Sequence, residues 1–487
     1  MTASMLYPAS VIKEIDRQYS QDYGISSFQL MKMAARRVVE VILTRYSDTK
    51  RAQVFCGSGN NAGDGFLIAA GLADRGWSVE VALVGSVEKY SDASREALAV
   101  CQNSQTIVKR FEGTVRDGAV LVDALLGLGI RGEVQSTYRS VIETMNAGSG
   151  PIVAVDLPSG LQPDSGDVAG VCIRAAITVT FFALKLGLFS QDGPDYAGEV
   201  ILADLDLPET LLAKHAAKAL RVLEAPRLPA RQNKAHKGDF GHLLVVGGNT
   251  GFGGAGVLAC EAAMRSGAGR VSVVSRKAHR SGFLTRCPEA MFQGVGEADD
   301  ITDLLGRVQA VVLGPGLGQD AWALNLYAQV IACGKPLVLD ADALNLLAQA
   351  PARLTESIIT PHPLEAARLL RRDQVDPDRL AVLGQLRAEY GAVVVLKGAA
   401  TLVATDERIA INVLGGPAMA TAGMGDVLSG LLGALLAQGQ SLSSAAELGV
   451  AHHGLAAEMA AAQQGEVGLL AGDVVPQLGR SLSGMPV

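Results

Sequence analysis

Short β-branched runs alternating with amphipathic helical stretches constrain this chain more than any other feature. Ala52–Cys56, Ser78–Val84, Ala119–Asp123 and Pro151–Val155 are predicted as buried strands, each ending near Gly, Asp or Pro. Helical patterns at Gly65–Arg75 and Tyr138–Asn146 lie between them. Such alternation demands a mostly parallel sheet covered on both faces. A long helical segment, Ser10–Tyr46, precedes it and must pack outside that sheet or against a partner subunit. A second β-α series runs through Gly241–Val246, Arg270–Val274, Gln309–Leu313, Pro336–Leu339, Ser357–Ile359 and Ala392–Leu396. Between the two lies Leu207–Lys237, whose prolines, clustered basic residues and lack of apolar period mark a boundary near residue 220. No short internal repeat is present, which excludes a solenoid.

Composition narrows the class. With 49% hydrophobic residues among 487, the chain can bury more than one core. A net charge of −7 with no long basic run argues against nucleic acid as the partner, so any anionic ligand must be held locally. The six cysteines are scattered without a CxxC pair, which suits reduced thiols rather than disulfides or structural zinc. The opening MTASMLYPASVIKEIDRQYS lacks the basic and apolar regions of a secretory signal. Apolar stretches such as Val427–Ala437 are too short and too Gly-punctuated to span a bilayer. The expectation is a soluble cytoplasmic protein with no membrane partner.

In the first half, strand Ala52–Cys56 runs into GSGNNAGDG, residues Gly57–Gly65, and then a helix. Glycines there permit a tight turn and close backbone approach, and the helix start offers free N–H groups to an anion. An ordinary β-α turn is the plain alternative. Asn60, Asn61 and Asp64 favour a site, because oxygen-rich side chains at a turn suit a hard cation or a ribose. Two further strand ends carry polar residues, Asp123 before ALLGLGIRGE and Asp156 before LPSG. A lone strand-end Asp is usually a helix cap. Three polar strand ends in succession, Asn61, Asp123 and Asp156, point instead to one crevice at the carboxyl edge of the sheet. Lys185, in FFALKLG, either serves phosphates and acid/base chemistry or lies in solvent.

GNNAGDG, VDALLGLGIRGE and VDLPSGL together resemble the NAD(P)HX epimerase domain over nearly all of residues 1–218. The resemblance implies a Rossmann-like three-layer domain that interconverts the R and S forms of hydrated NADH or NADPH. Its dinucleotide-binding residues fall on Asn60, Asn61, Ala62, Gly63 and Asp64, on Gly127, Leu128, Gly129, Ile130, Arg131, Gly132 and Glu133, and on Asp156. Its potassium ligands fall on Asn61, Asp123 and Ser159. Ala62 stands where the family more often has glycine. In the hydrate the ring nitrogen can expel the neighbouring hydroxyl, and a carboxyl group such as Asp156 can protonate it and return water to the other face.

In the second half the strongest motif is TAGMGDVLSG, Thr421–Gly430, with a helix predicted to start near Met424. Its backbone N–H groups form an anion hole, and Asp426 sits in the first turn. A capping role accounts for many such aspartates. An anion hole beside a carboxylate is also what phosphoryl transfer to a hydroxyl requires, the Asp accepting the proton. The pattern resembles the end of a ribokinase-like small-molecule kinase. LGPGLG, Leu313–Gly318, permits close approach to a ligand; VLDADALN places Asp340 and Asp342 on one face after a strand; VVVLKGAAT places Lys397 at a strand end. No Walker A sequence is present. His362 and Glu365 of TPHPLE lack the PCxxC that a deaminase zinc site needs, so a structural histidine is expected there. His452 and His453 must point in different directions on a helix.

GFGGAG, GPGLG, VLDADALN, TPHPLE, KGAAT and AGMGD as a set resemble the nucleotide-dependent NAD(P)HX dehydratase family over residues 221–487. The resemblance implies a ribokinase-like α/β domain that removes water from the S hydrate. Hydrate-binding residues carry over to Ala255, Gly316, His362 and Asp426, and adenine-nucleotide residues to Lys397, Gly398, Ala399, Ala400, Thr401 and Gly425. Leu364 stands where the family often has glycine. The fused order resembles the bifunctional hydrate-repair enzymes: isomerase then lyase, with potassium in the first domain, magnesium in the second, ADP or ATP as co-substrate, and a homo-oligomer of four or more chains. The alternatives are a kinase of a vitamin-precursor alcohol with a non-catalytic dinucleotide-binding first domain, or a first domain that serves only as a scaffold. The three polar strand ends argue against the scaffold.

Overall fold

A computed structural model describes residues 5–130, 132–134, 136–216 and 220–485. Arg131 and Lys218, which fall in the expected binding loop and at the expected domain end, lie outside the described residues. The chain divides into two compact units, Met1–Leu220 and Arg221–Val487.

The first unit runs β1 (Met5–Tyr7), α1 (Ala9–Tyr23), α2 (Ser27–Arg45), β2 (Arg51–Cys56), α3 (Asn60–Ala73), β3 (Ser78–Leu83), α4 (Asp92–Gln102), β4 (Thr106–Arg110), β5 (Val120–Ala124), α5 (Ser136–Ala147), β6 (Ile152–Val155), β7 (Ile177–Phe181), β8 (Leu184–Lys185), α6 (Gly193–Ala197), β9 (Glu199–Ala203) and α7 (Glu209–Ala213). Its sheet has the order β4-β3-β2-β5-β6-β7-β9, every neighbour parallel. The order reverses beside β2 and β5, so the loops after these strands open a crevice at their carboxyl ends. One long N-terminal helix was expected; there are two. Gly24, at φ 67°, ends α1 in the left-handed region, and Ser26 with Gln29 forms a capping box that starts α2. Ile12, Ile15, Val38 and Ile42 then join Val54, Phe66 and Val122 in one core.

The second unit runs β10 (Leu220–Val222), β11 (His242–Val246), α8 (Gly253–Arg265), β12 (Arg270–Arg276), α9 (Arg280–Arg286), β13 (Met291–Val295), α10 (Thr302–Arg307), β14 (Ala310–Leu313), α11 (Ala321–Ile331), β15 (Leu337–Leu339), α12 (Asp342–Gln349), β16 (Ser357–Ile359), α13 (Pro363–Leu369), α14 (Arg379–Tyr390), β17 (Val393–Leu396), β18 (Leu402–Ala404), β19 (Ile409–Ile411), α15 (Met424–Ala437), α16 (Leu442–Gln464) and α17 (Ala471–Leu482). Strands β13-β12-β11-β14-β15-β16-β17 lie parallel in that order, and β18 and β19 continue antiparallel. Strand β10 adds to β19 in parallel. The apolar α15 packs on the sheet alongside α8, with Val427, Leu431 and Leu435 beside Val245 and Val312 in the core.

Candidate active sites

A cavity of about 580 Å³ in the first unit is bounded by apolar residues of α1 and α2, among them Ile12, Leu30 and Met31, and by the carboxyl ends of the strands. Asn60, Asn61, Asp64, Gly127, Leu128, Gly129, Ile130 and Asp156 line it, together with Asp16 and Lys185. Ala62 and Gly63 are buried inside α3 instead, and Gly132 and Glu133 are not among the lining residues. GNNAGDG was expected to be a loop ahead of a helix. In the structure Asn60–Asp64 are themselves the first turns of α3, a conformation that Ala62 accepts as readily as glycine does.

Asp156 follows β6 with φ 71°, a strained conformation for a non-glycine residue, which marks a constrained position. Its Oδ1 accepts from Lys185 Nζ at 2.5 Å and from Phe181 N at 3.1 Å. Lys185 is fully buried rather than solvated, held where β8 pairs with β1. Its other two hydrogen bonds go to Thr180 Oγ1 and Phe181 O, so all three ammonium hydrogens are committed. Burial pushes the Lys185 ammonium below its usual range against the pull of Asp156. Burial, with Asp156 and Asp16 nearby, holds Asp64 well above the usual carboxyl range. Desolvation and then Asp156 raise Asp16 on α1. The one ammonium pairs with Asp156 and lowers Asp16 in part, while Asp64 has no such relief.

Asp123 and Ser159 lie beneath this cavity. Ser159 Oγ donates to Asp123 Oδ1 at 2.6 Å, Ser159 N to Oδ2 at 2.8 Å, and Leu125 N to Oδ1 at 3.2 Å. Asn61 Nδ2 reaches the carbonyls of Leu126 and Val155 at 3.0 and 3.3 Å. Among the described residues no cationic side chain pairs with Asp123, and burial pushes its carboxyl up to about 6.

In the second unit Lys397, at the end of β17, donates to Asp340 Oδ1 at 2.6 Å and lies 3.7 Å from Glu365 Oε2. Ser429 of α15 donates to Asp340 Oδ2 at 2.8 Å. Asp426, one turn earlier on α15, is pushed up to about 7 by burial and then by Asp340, with Lys397 opposing. A Cβ on Gly425 would stand 3.3 Å from both Lys397 Nζ and Asp340 Oδ2, a tight contact that places the three residues together. Lys397, Gly425 and Asp426 therefore share one place, at the amino end of α15. Gly316 and Ala255 adjoin each other, since a Cβ on Gly316 would come 3.2 Å from Ala255 Cβ.

The loop Gly398, Ala399, Ala400 and Thr401 follows Lys397. Arg379 braces it by donating to the carbonyls of Leu396, Lys397 and Ala399, and Ala400 takes φ 55°. His362 is the cap of α13; its Nδ1 accepts from Leu364 N and Glu365 N, as a structural histidine would. Leu364 is exposed beside it. Asp340 and Asp342 do not share a face as expected. Ala341, at φ 48°, turns the chain between them, and Asp342 accepts from Gly318 N instead. His452 bonds Ser481 and Pro226 O, whereas His453 lies within the field of Lys397, which with burial pushes it down to about 4. Sequence reasoning missed Asp16, Glu365, Ser429, Arg379 and His453 as parts of these sites. An acidic residue among the apolar positions of α1 was the one available signal, for Asp16.

Two α/β units, each gathering buried carboxylates and a lysine at the carboxyl ends of parallel strands, define a two-site α/β enzyme. Its curated relatives named bifunctional NAD(P)H-hydrate repair enzyme include those of Coxiella burnetii, 42% identical over 98% of this chain and 99% of the relative, and Vibrio cholerae, 37% identical over 97% of both. The chain belongs to the family of bifunctional NAD(P)H-hydrate repair enzymes. The Escherichia coli member is 37% identical over 97% of this chain and 93% of its own. Residues 243–479 match the family described as NAD(P)H-hydrate dehydratase, and residues 27–187 the family described as YjeF-related protein N-terminus. Among solved structures, the ADP/ATP-dependent NAD(P)H-hydrate dehydratase of Bacillus subtilis, co-crystallised with ATP/Mg2+, is 28% identical with a TM-score of 0.47, covering 52% of this chain and 93% of that one. A ribokinase-like superfamily protein of Enterococcus faecalis is 29% identical with a TM-score of 0.49, covering 53% and 92%. Among the described residues no helix is long and apolar enough to cross a membrane.

Proposed function

We propose that residues 1–218 epimerise R- and S-NAD(P)HX and that residues 221–487 dehydrate the S form to NAD(P)H while ADP is split to AMP and phosphate. The observation that carries this reading is the pair of separate acid/base clusters, Asp156–Lys185 and Asp426–Lys397.

In the epimerase site Asp156, paired with Lys185, acts as the base that activates the returning water. Asp64, whose carboxyl burial holds well above its usual range, supplies the proton to the hydroxyl expelled by the ring nitrogen. Asn60, Gly127, Leu128, Gly129 and Ile130 bind the dinucleotide along the cavity wall. The buried carboxylate of Asp123, with no cationic partner among the described residues, fits a potassium ion that Asp123, Ser159 and Asn61 would hold. The ion would keep Asp123 ionised and the loops after β5 and β6 in place.

In the dehydratase site Asp426 takes the proton of the hydrate hydroxyl as its oxygen attacks the β-phosphoryl group of ADP, and AMP leaves. The ring nitrogen then expels phosphate, and loss of the adjacent ring proton completes the dihydropyridine. Lys397 and the amino end of α15 hold the phosphates; Gly398, Ala399, Ala400 and Thr401 hold the nucleotide; Ala255, Gly316 and His362 hold the hydrate. Among the described residues no three His, Cys, Asp or Glu side chains form a metal-binding set, so magnesium fits as an ion carried on the nucleotide phosphates. ATP would serve by the same chemistry. We place the protein in the cytoplasm, as a homo-oligomer. The test is incubation with purified R and S hydrates, with and without each nucleotide, followed by the absorbance of reduced nicotinamide. Phosphorylation without return of that absorbance would favour the simple kinase.

A further inference from the structure

The second unit holds another concavity, away from Lys397 and Asp426. It encloses about 1320 Å³ between the segment 227–240 and the carboxyl ends of α8, α15 and α17. Ala255 and Asp426 sit at the amino ends of α8 and α15, so about 20 Å of helix separates the cavity from them.

Arg227, Arg231, Lys234 and Arg265 line the cavity, against the single carboxylate of Asp239. Asp239 is engaged, accepting from His236 N at 2.9 Å. Arg231 is engaged too, donating to Gly267 O at 2.6 Å over the ring of Phe240. The side chains of Arg227, Lys234 and Arg265 make no ion pair or hydrogen bond among the described residues.

Cations near helix carboxyl ends often serve only the helix dipole. Here those carbonyls are already taken: Gly267 O by Arg231, Ser266 O by Gln438 Nε2, and Leu482 O by Leu228 N. Three cations unpaired among the described residues thus line a concave space whose single carboxylate is already engaged. We infer that this cavity binds a multiply charged, phosphate-bearing small molecule, with Arg227, Lys234 and Arg265 on its oxygens. A phosphate group offers several acceptors to such donors, and charge-assisted bonds of this kind are the strong ones.

Pyrophosphate titrated calorimetrically into the full chain tests this, below the melting transition of every variant. Wild type should show a saturable event that Lys397→Gln retains, because the catalytic site is elsewhere. Arg227→Gln with Arg265→Gln should weaken that event by at least about tenfold. The exposed Lys234→Ala substitution gives an independent reading should the double variant fold poorly. Unchanged binding in these cavity variants, or loss of all binding in Lys397→Gln, would overturn the assignment.

Discussion

Lys397 and Asp340 form an ion pair, Nζ to Oδ1 at 2.6 Å, whose carboxylate is 1% exposed. Burial alone would raise Asp340, yet the ammonium and the hydrogen bonds from Lys397 and Ser429 hold it below the usual range. The pair therefore fixes charge on both partners and aims Lys397 at the amino end of α15.

Removing the lysine exposes what the pair does. Lys397→Met leaves Asp340 buried without a cation, at an expected cost of about 3–5 kcal/mol. Because the native carboxyl is depressed, the pair's contribution is present above the unfolded carboxyl range and lost below it, as pH falls through the native carboxyl's lower range. Thermal melts should show a deficit that is large near neutrality and shrinks below about pH 4.

Asp426 carries the opposite sign. Its carboxyl is raised to about 7, so it weakens the fold increasingly as pH climbs from the unfolded carboxyl range through 7. Asp426→Asn should raise the melting temperature above neutrality and change it little in acid. The same substitution should lower nucleotide-dependent dehydration by at least about a hundredfold and leave epimerisation intact. Wild-type kcat/KM for dehydration should rise with pH around 7, where the base of the free enzyme becomes ionised.

Asp156 separates the other half-reaction. Its φ of 71° suits asparagine far better than alanine, so Asp156→Asn tests charge without backbone strain. Asp156→Asn and Asp156→Ala should each stop R-to-S conversion, timed against the uncatalysed background, while dehydration of pure S hydrate continues.

Much of this was legible from strand ends. The glycine-rich turns, Asp123, Asp156 and the helix start at Met424 lie beside strong local signals. The edge strand β4 escaped notice because TIVKR is largely exposed and carries no apolar run. The turn at Ala341 was invisible because alanine gives no warning of positive φ. Above all, convergence over long separations leaves no local trace: Asp340 meets Ser429 across 89 residues, and Asp16 shares a cavity with Lys185. The burial of Lys185 depends on its pairing with β1, a strand of three residues.

Potassium should matter to the first unit alone. After desalting, epimerisation is expected to recover with potassium and respond little to magnesium, whereas dehydration is expected to need magnesium. Asp123→Asn should abolish the potassium response without unfolding the unit, because an amide of the same shape keeps a hydrogen bond with Ser159. A magnesium response with no potassium response would reduce Asp123 to a structural strand-end carboxylate.

The central claim is that two independent sites act in sequence on one damaged cofactor. It is tested most directly by supplying pure R hydrate with ADP and magnesium to Asp156→Asn, to Asp426→Asn, and to an equal mixture of the two. Asp156→Asn alone should yield reduced nicotinamide no faster than the uncatalysed epimerisation permits, Asp426→Asn alone no faster than its residual dehydration permits, and the mixture should restore rapid production. Fast recovery by Asp156→Asn alone, or no recovery in the mixture, would contradict the account.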